Sequence, residues 1–144
     1  MFSLISQLVT KLFDWRMNGR RVEVNASRSL YAYPDGSPGD KLLINLQARN
    51  MSRAMTVFVS SWGLDLDDGK SIYYLEQLPG SDSLPTELSP QKSAQWFLSL
   101  LDLSDEARTH KQARPFVDLQ SGHREHGDWF PLSEWVDTAH SIKE

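Results

Sequence analysis

The chain has no cysteine, which excludes a disulfide framework, a thiolate zinc site and a cysteine nucleophile, and it fits a cytoplasmic protein. It has no surplus of positive charge: Lys and Arg number 15 against 19 Asp and Glu, for a formal net charge of −4. Binding to phosphate backbones depends on dense Lys and Arg, so a primary role on nucleic acid is not expected. No run approaches the ~20 continuous apolar residues that span a bilayer as a helix. The first segment, Met1 to Phe13, lacks a basic start and is broken by Ser3, Ser6, Gln7, Thr10 and Lys11, so it does not read as a secretion signal. The usual enzyme signatures are missing too: no G-x-S-x-G elbow, no H-E-x-x-H and no G-x-x-x-x-G-K-S/T phosphate loop occurs, which lowers the case for catalysis.

What is present suffices for one folded domain. Of the 144 residues 40% are hydrophobic, and five of the fifteen aromatics are Trp, a content that disordered chains do not reach. From Phe2 to Trp15, a rotation of about 100° per residue collects Phe2, Leu4, Ile5, Leu8, Val9, Leu12, Phe13 and Trp15 on one half of a helix. Asn18 and Gly19 supply its stop. The expected organisation is therefore an amphipathic N-terminal helix over 1–18 and a β domain over 19–144.

From Val22 the period changes to two. Val22, Val24 and Ala26 alternate with polar neighbours, as do Leu42, Ile44, Leu46 and Ala48, and these segments read as half-buried strands around a loop from Pro34 to Asp40. Asn50 to Arg53 is a second turn. Met55 to Trp62 is a strand whose buried phase stays open, because Val57 and Val59 compete with Phe58 and Trp62. Asp68-Gly69 marks a hairpin, with Ser71 to Glu76 returning, and Pro79 to Pro90 reads as the longest loop. In Ser93 to Leu100 the phase of Ala94, Trp96, Leu98 and Leu100 faces the core. Ser104 is expected to cap a short helix reaching Gln112. Arg114 to Leu119 and His126 to Leu132 are the final strands, and Ser133 is expected to cap a helical turn through Trp135. About seven or eight short strands with no long helix between them predict a mainly β, antiparallel, immunoglobulin-like β-sandwich.

The succession LLINLQARNMSRAMTVFVSSWGL, the Asp-Gly hairpin and LPTELSPQKSAQWFLSL resembles small bacterial proteins of unknown function that share an immunoglobulin-like β-sandwich. The resemblance spans Val22 to Leu132. It departs at Ala48, at Asn50-Met51-Ser52, where a glycine is expected, and at Gln91, where the pattern again has glycine. The resemblance implies the fold and carries no catalytic residue or cofactor. Some members look as if they have a hydrophobic N-terminal segment followed by basic residues, here the Phe2 helix with Arg16, Arg20 and Arg21.

Two constellations invite a chemical reading. Asp65, Asp67 and Glu76 sit at positions one, three and twelve of a calcium loop, but Gly69 and Lys70 break the pattern at five and six, so a hairpin is favoured over a metal site. His123 and His126 would point apart on a strand; they and nearby acidic residues are the basis of the alternative reading, a hydrolase or metal-dependent enzyme. His110 and His140 read as surface residues. The main expectation is a non-enzymatic binding or accessory module without cofactor. Its interaction residues are Phe2, Ile5, Leu8, Val9, Leu12 and Phe13 of the helix, with Tyr31 and Tyr33 beside the first loop, and Tyr73 and Tyr74 weighed as further candidates. A protein partner or self-association is expected, with peripheral membrane contact through the helix as the lesser alternative.

Overall fold

The computed structural model describes residues 22–32, 38–73 and 78–143. Phe2, Ile5, Leu8, Val9, Leu12, Phe13, Tyr33 and Tyr74 lie outside the described residues, as does the whole segment read as an amphipathic helix; Tyr31 falls within the first strand. The chain is mainly β, in two antiparallel sheets. Strands β1 (Val22–Ala32), β2 (Pro38–Asn50) and β6 (Ser93–Ser99) form the first, in the order β1-β2-β6. Strands β3 (Val57–Leu66), β4 (Ser71–Tyr73), β7 (Ala113–Leu119) and β8 (Arg124–His126) form the second, in the order β4-β3-β7-β8, and β5 (Thr86–Leu88) pairs with the start of β3.

The alternation seen in the sequence becomes the core. Ile44 stands opposite Leu98 and Leu46 opposite Trp96, and all four are buried. From the second sheet, Trp62 stacks on Trp96 with ring centroids 6.1 Å apart, so the two sheets share one apolar layer. The phase of β3 was ambiguous for a physical reason. Its register against β7 slips between Val59 and Ser61, and the extra residue of such a bulge exchanges the two faces. Val57 and Val59 therefore point inward before it, Trp62, Leu64 and Leu66 after it, and Phe58 is exposed.

Several boundaries differ from expectation. Pro38 to Asp40 belongs to β2 rather than to the loop, which a proline at the first position of a strand permits. Strand β5 lies inside the expected long loop. The last strand is Arg124–His126, not His126 to Leu132: beyond it Gly127 N donates to the Pro115 carbonyl and Phe130 forms an isolated bridge to Ala113. Pro131 has no N–H to continue a ladder, and its carbonyl accepts instead from Trp135 N at 3.0 Å, opening a helix from Leu132 to Lys143 (α2) far longer than the expected turn. The shorter helix Ser104–Thr109 (α1) is preceded by a 3-10 turn, Leu100–Leu103. Neither Ser104 nor Ser133 is the N-cap expected, since both lie inside their helices; Ser104 instead closes the 3-10 turn, its N–H and Oγ both donating to the Leu101 carbonyl.

Both departures from the glycine pattern are explained locally. Asn50, fully buried, donates from Nδ2 to the carbonyls of Met55 (2.7 Å) and Leu88 (2.9 Å) and accepts from Ser52 N (2.9 Å), so its side chain builds the turn. Gln91 adopts the left-handed region at φ 65°, which costs a side chain about 1 kcal/mol or more. Its amide offsets this by donating to the carbonyls of Met51 and Ser52 and accepting from Arg49. Asn50→Ala removes the donor to the Leu88 carbonyl, a buried bond, and to the Met55 carbonyl, a partly buried one, and should lower the urea-unfolding free energy by about 1–3 kcal/mol; a loss under about 0.5 kcal/mol would contradict this role.

Candidate functional site

The outer face of the second sheet carries a polar cluster that strand register assembles. Ser71, Asp65 and Arg114 lie side by side in one row; Tyr73, Gly63, Phe116 and His126 form the next; Ser61, Asp118 and Arg124 the third. Because side chains alternate, these residues share the face opposite the core.

Asp65 is the hub, with only 10% of its side chain exposed. Oδ1 accepts from Ser71 Oγ (2.7 Å) and Arg124 Nη1 (3.1 Å), and Oδ2 from Arg114 Nε (3.3 Å) and His126 Nε2 (2.7 Å). Arg124 is equally committed. It donates from Nε and Nη2 to Asp118 at 2.7 and 3.2 Å, from Nη1 to Asp65 and to Ser71 Oγ, and from Nη2 to the Tyr73 hydroxyl. A guanidinium has five N–H groups, and these five bonds use them all. The same guanidinium lies 3.8 Å over the Phe116 ring, whose edge contact with Tyr73 spans 5.3 Å. Hydrogen bonding to Asp118 raises the pKa of Arg124 above its ordinary value.

Two carboxylates and two guanidinium groups balance, which leaves no charge for the imidazole to neutralise. Burial, and next the charge of Arg114, hold His126 below its ordinary 6.5 despite the pull of Asp65. The neutral ring donates through Nε2 to Asp65, which places its lone pair on Nδ1. Arg114 is held through Nε, and its guanidinium lies 4.8 Å from the centre of the Trp129 ring. Its terminal amino groups have no acceptor among the described residues.

Beside the cluster opens a cleft of about 440 Å³, lined by Val22 to Asn25 of β1, by Met51, and by Glu125 to Asp128. A Cβ on Gly127 would fall 2.4 Å from the Val24 carbonyl, so only glycine lets the two sheets approach there. The two histidines have separate carboxylate partners, His123 with Glu125 at 3.0 Å and His126 with Asp65. Among the described residues no group of three or more His, Asp or Glu is placed to hold a metal ion, and no helix is long and apolar enough to cross a membrane.

The Asp-Gly hairpin closes as read, with Gly69 at φ 89°, and its carboxylates have protein donors. Asp67 accepts from the backbone N–H of Lys111 and Gln112. Asp68 meets His110 Nε2 at 2.9 Å, so His110, with 13% of its side chain exposed, is not the surface residue expected. Its bond to Asp68 raises the pKa of His110 above 6.5, and the same bond lowers that of Asp68 below 3.8. A raised imidazole stabilises the fold fully below pH 6.5 and loses that contribution as pH rises through its folded value; a lowered carboxylate contributes above 3.8 and loses it as pH falls through its own. The pair should thus stabilise most between about pH 4 and 6.5. His126, with a lowered value, acts with the opposite sign, favouring the unfolded state as pH falls below 6.5. Melting curves should show His110→Asn losing most against wild type near pH 5.5 and progressively less above pH 7; a deficit independent of pH would contradict the assignment.

Sequence reasoning singled out His123, His126 and Asp65 but missed Arg114, Asp118, Arg124 and Ser71. The available signal was the polar slots in otherwise apolar alternation, at Asp65 in β3 and at Arg114 and Asp118 in β7. Which slots become neighbours depends on long-range register.

No protein-family model and no curated protein matches the chain. Among solved structures, one described as "X-ray structure of Northeast Structural Genomics Consortium target SoR45" is similar at a TM-score of 0.31 and 15% identity, over 76% of this chain and 83% of that one.

Proposed function

We propose that this protein is a cytoplasmic binding or accessory module, with no cofactor, built on an immunoglobulin-like β-sandwich. The strand order supports that fold: β1-β2-β6 facing β8-β7-β3-β4 corresponds to A-B-E facing G-F-C-C′. The observation that carries the function is the full engagement of the two central groups of the outer-face cluster, Asp65 and Arg124. Asp65 accepts from four side chains, and Arg124 has no donor left. A hydrolase reading draws on the Asp65–His126 pair, but it needs a nucleophile within reach of the imidazole. The Ser71 hydroxyl, the one in this cluster bonded to Asp65, is committed to that carboxylate instead. Internally satisfied networks rigidify a surface, which suits a platform for recognition.

The partner is a protein or a second copy, not nucleic acid, and the amphipathic segment with Phe2, Ile5, Leu8, Val9, Leu12 and Phe13 is the proposed contact element, with peripheral membrane binding as its lesser role. Light scattering and liposome sedimentation of wild type and Ile5→Asp/Val9→Asp test this. The double variant should lose association yet keep the wild-type unfolding curve. A wild type that stays monomeric, ignores liposomes and is unfolded by the double substitution would refute the contact element. Turnover of model carboxyl or phosphate esters that His126→Asn abolishes would refute the non-enzymatic reading.

A further inference from the structure

We propose that the outer face of the second sheet receives one carboxylate side chain of an extended peptide segment from a partner protein, bound by the terminal amino groups of Arg114 beside Trp129. The inference rests on the binding-module reading and names the chemistry of its partner. Arg114 differs from Arg124 in one decisive respect: among the described residues only its Nε is engaged, by Asp65 at 3.3 Å, while one third of its side chain is exposed. The hub carboxylate is nine-tenths buried, and the guanidinium carbon lies 4.8 Å from the centre of the Trp129 ring. The fork is thus fixed before any ligand arrives, which removes much of the ordering cost of binding.

The ligand class follows from charge. Asp65 and Asp118 offset Arg114 and Arg124, so the cluster is neutral with His126 uncharged and offers little to a dianionic phosphate. A single carboxylate matches the planar fork in two parallel hydrogen bonds. The chain's net charge of −4 repels a run of acidic residues at long range, which favours an isolated Asp or Glu between apolar neighbours. Those neighbours have surfaces to meet: Trp129 and Tyr73 are 44% and 50% exposed, and Trp, Tyr and Arg dominate binding hot spots. Tyr73 stands three strands from His126 in the same row, about 14 Å, a span that about four extended residues cover.

The test is an NMR titration of the full chain with a capped peptide Ala-Phe-Glu-Phe-Ala, with its Glu→Gln counterpart, and with sodium acetate. The Glu peptide should shift the Trp129 indole and Arg114 Nε signals saturably, at least tenfold more tightly than the Gln peptide or acetate. It should also move the His126 titration upward, because the docked carboxylate cancels the Arg114 charge that, with burial, depresses it. Arg114→Lys, which keeps the charge and loses the fork, should weaken the Glu peptide about tenfold; Trp129→Ala, at an exposed site, should do the same in a chain that melts as wild type does. Equal binding of Glu and Gln peptides, undiminished binding by Arg114→Lys, or acetate binding as tightly as the peptide would overturn the proposal. Shifts of these signals with protein concentration alone would assign the face to a second copy and overturn it also. No saturable shift at millimolar peptide would overturn it while leaving the binding-module reading to the association experiment.

Discussion

Replacing Gly63 by alanine should cost about 3 kcal/mol, near the upper end of overpacking effects, and should release β4 from its sheet. A Cβ at this position would stand 1.9 Å from the Ile72 carbonyl oxygen and 2.8 Å from Phe116 Cζ. Neither neighbour can yield cheaply. The first is backbone of the paired strand β4; the second is a fully buried ring wedged beneath the Arg124 guanidinium. The glycine before Leu64 is thus a place where a side chain is forbidden first by the Ile72 carbonyl of the paired strand and then by the Phe116 ring. Urea unfolding and hydrogen exchange of the amides of 71–73 would check this, and a loss below about 1 kcal/mol with those amides still protected would contradict it.

Trp96→Ala should cost about 3–5 kcal/mol, as expected for an aromatic removed from a core. The side chain is fully buried, crosses from the first sheet to stack on Trp62 of the second, and donates Nε1–H to the Asp82 carbonyl at 2.9 Å. Its removal therefore opens a cavity and strips a donor from the segment preceding β5. Trp96→Phe separates the two effects: most of the volume stays, and about 1 kcal/mol should remain for the hydrogen bond. Urea unfolding that places Trp96→Ala within about 1 kcal/mol of wild type would show that this ring does not join the sheets.

Strict alternation made the core legible at Ile44, Leu46, Trp96 and Leu98, since period two with one apolar face has a single solution. It failed at β3, where the slip before Ser61 gives both phases an inward half. It also failed at β5, three residues between Pro85 and Pro90 whose partner Val57 to Val59 lies far back in the chain. Helix α2 was hidden in plain pattern. Leu132, Val136 and Ala139 are buried at helical spacing, but the apolar run through Phe130 and Leu132 reads equally well as strand until Pro131 is given its weight. The candidate site was the least legible part. Asp65 looked like the first ligand of a defective calcium loop, and what it binds, Arg114 and Arg124, comes from strands 49 and 59 residues away. Local spacing carries no information about such partners.

The central proposal is that the Asp65 network is a structural platform rather than a reaction site, and the urea-unfolding free energy of Asp65→Asn tests it most directly. Charge-assisted hydrogen bonds contribute about 1.5–3 kcal/mol each, and asparagine's NH2 group would face cationic donors where Oδ2 or Oδ1 now accepts. Polar groups held for catalysis tend to be stability liabilities whose removal is neutral or stabilising. The account predicts a loss of about 2 kcal/mol or more in Asp65→Asn; unfolding at or above wild-type stability would contradict it.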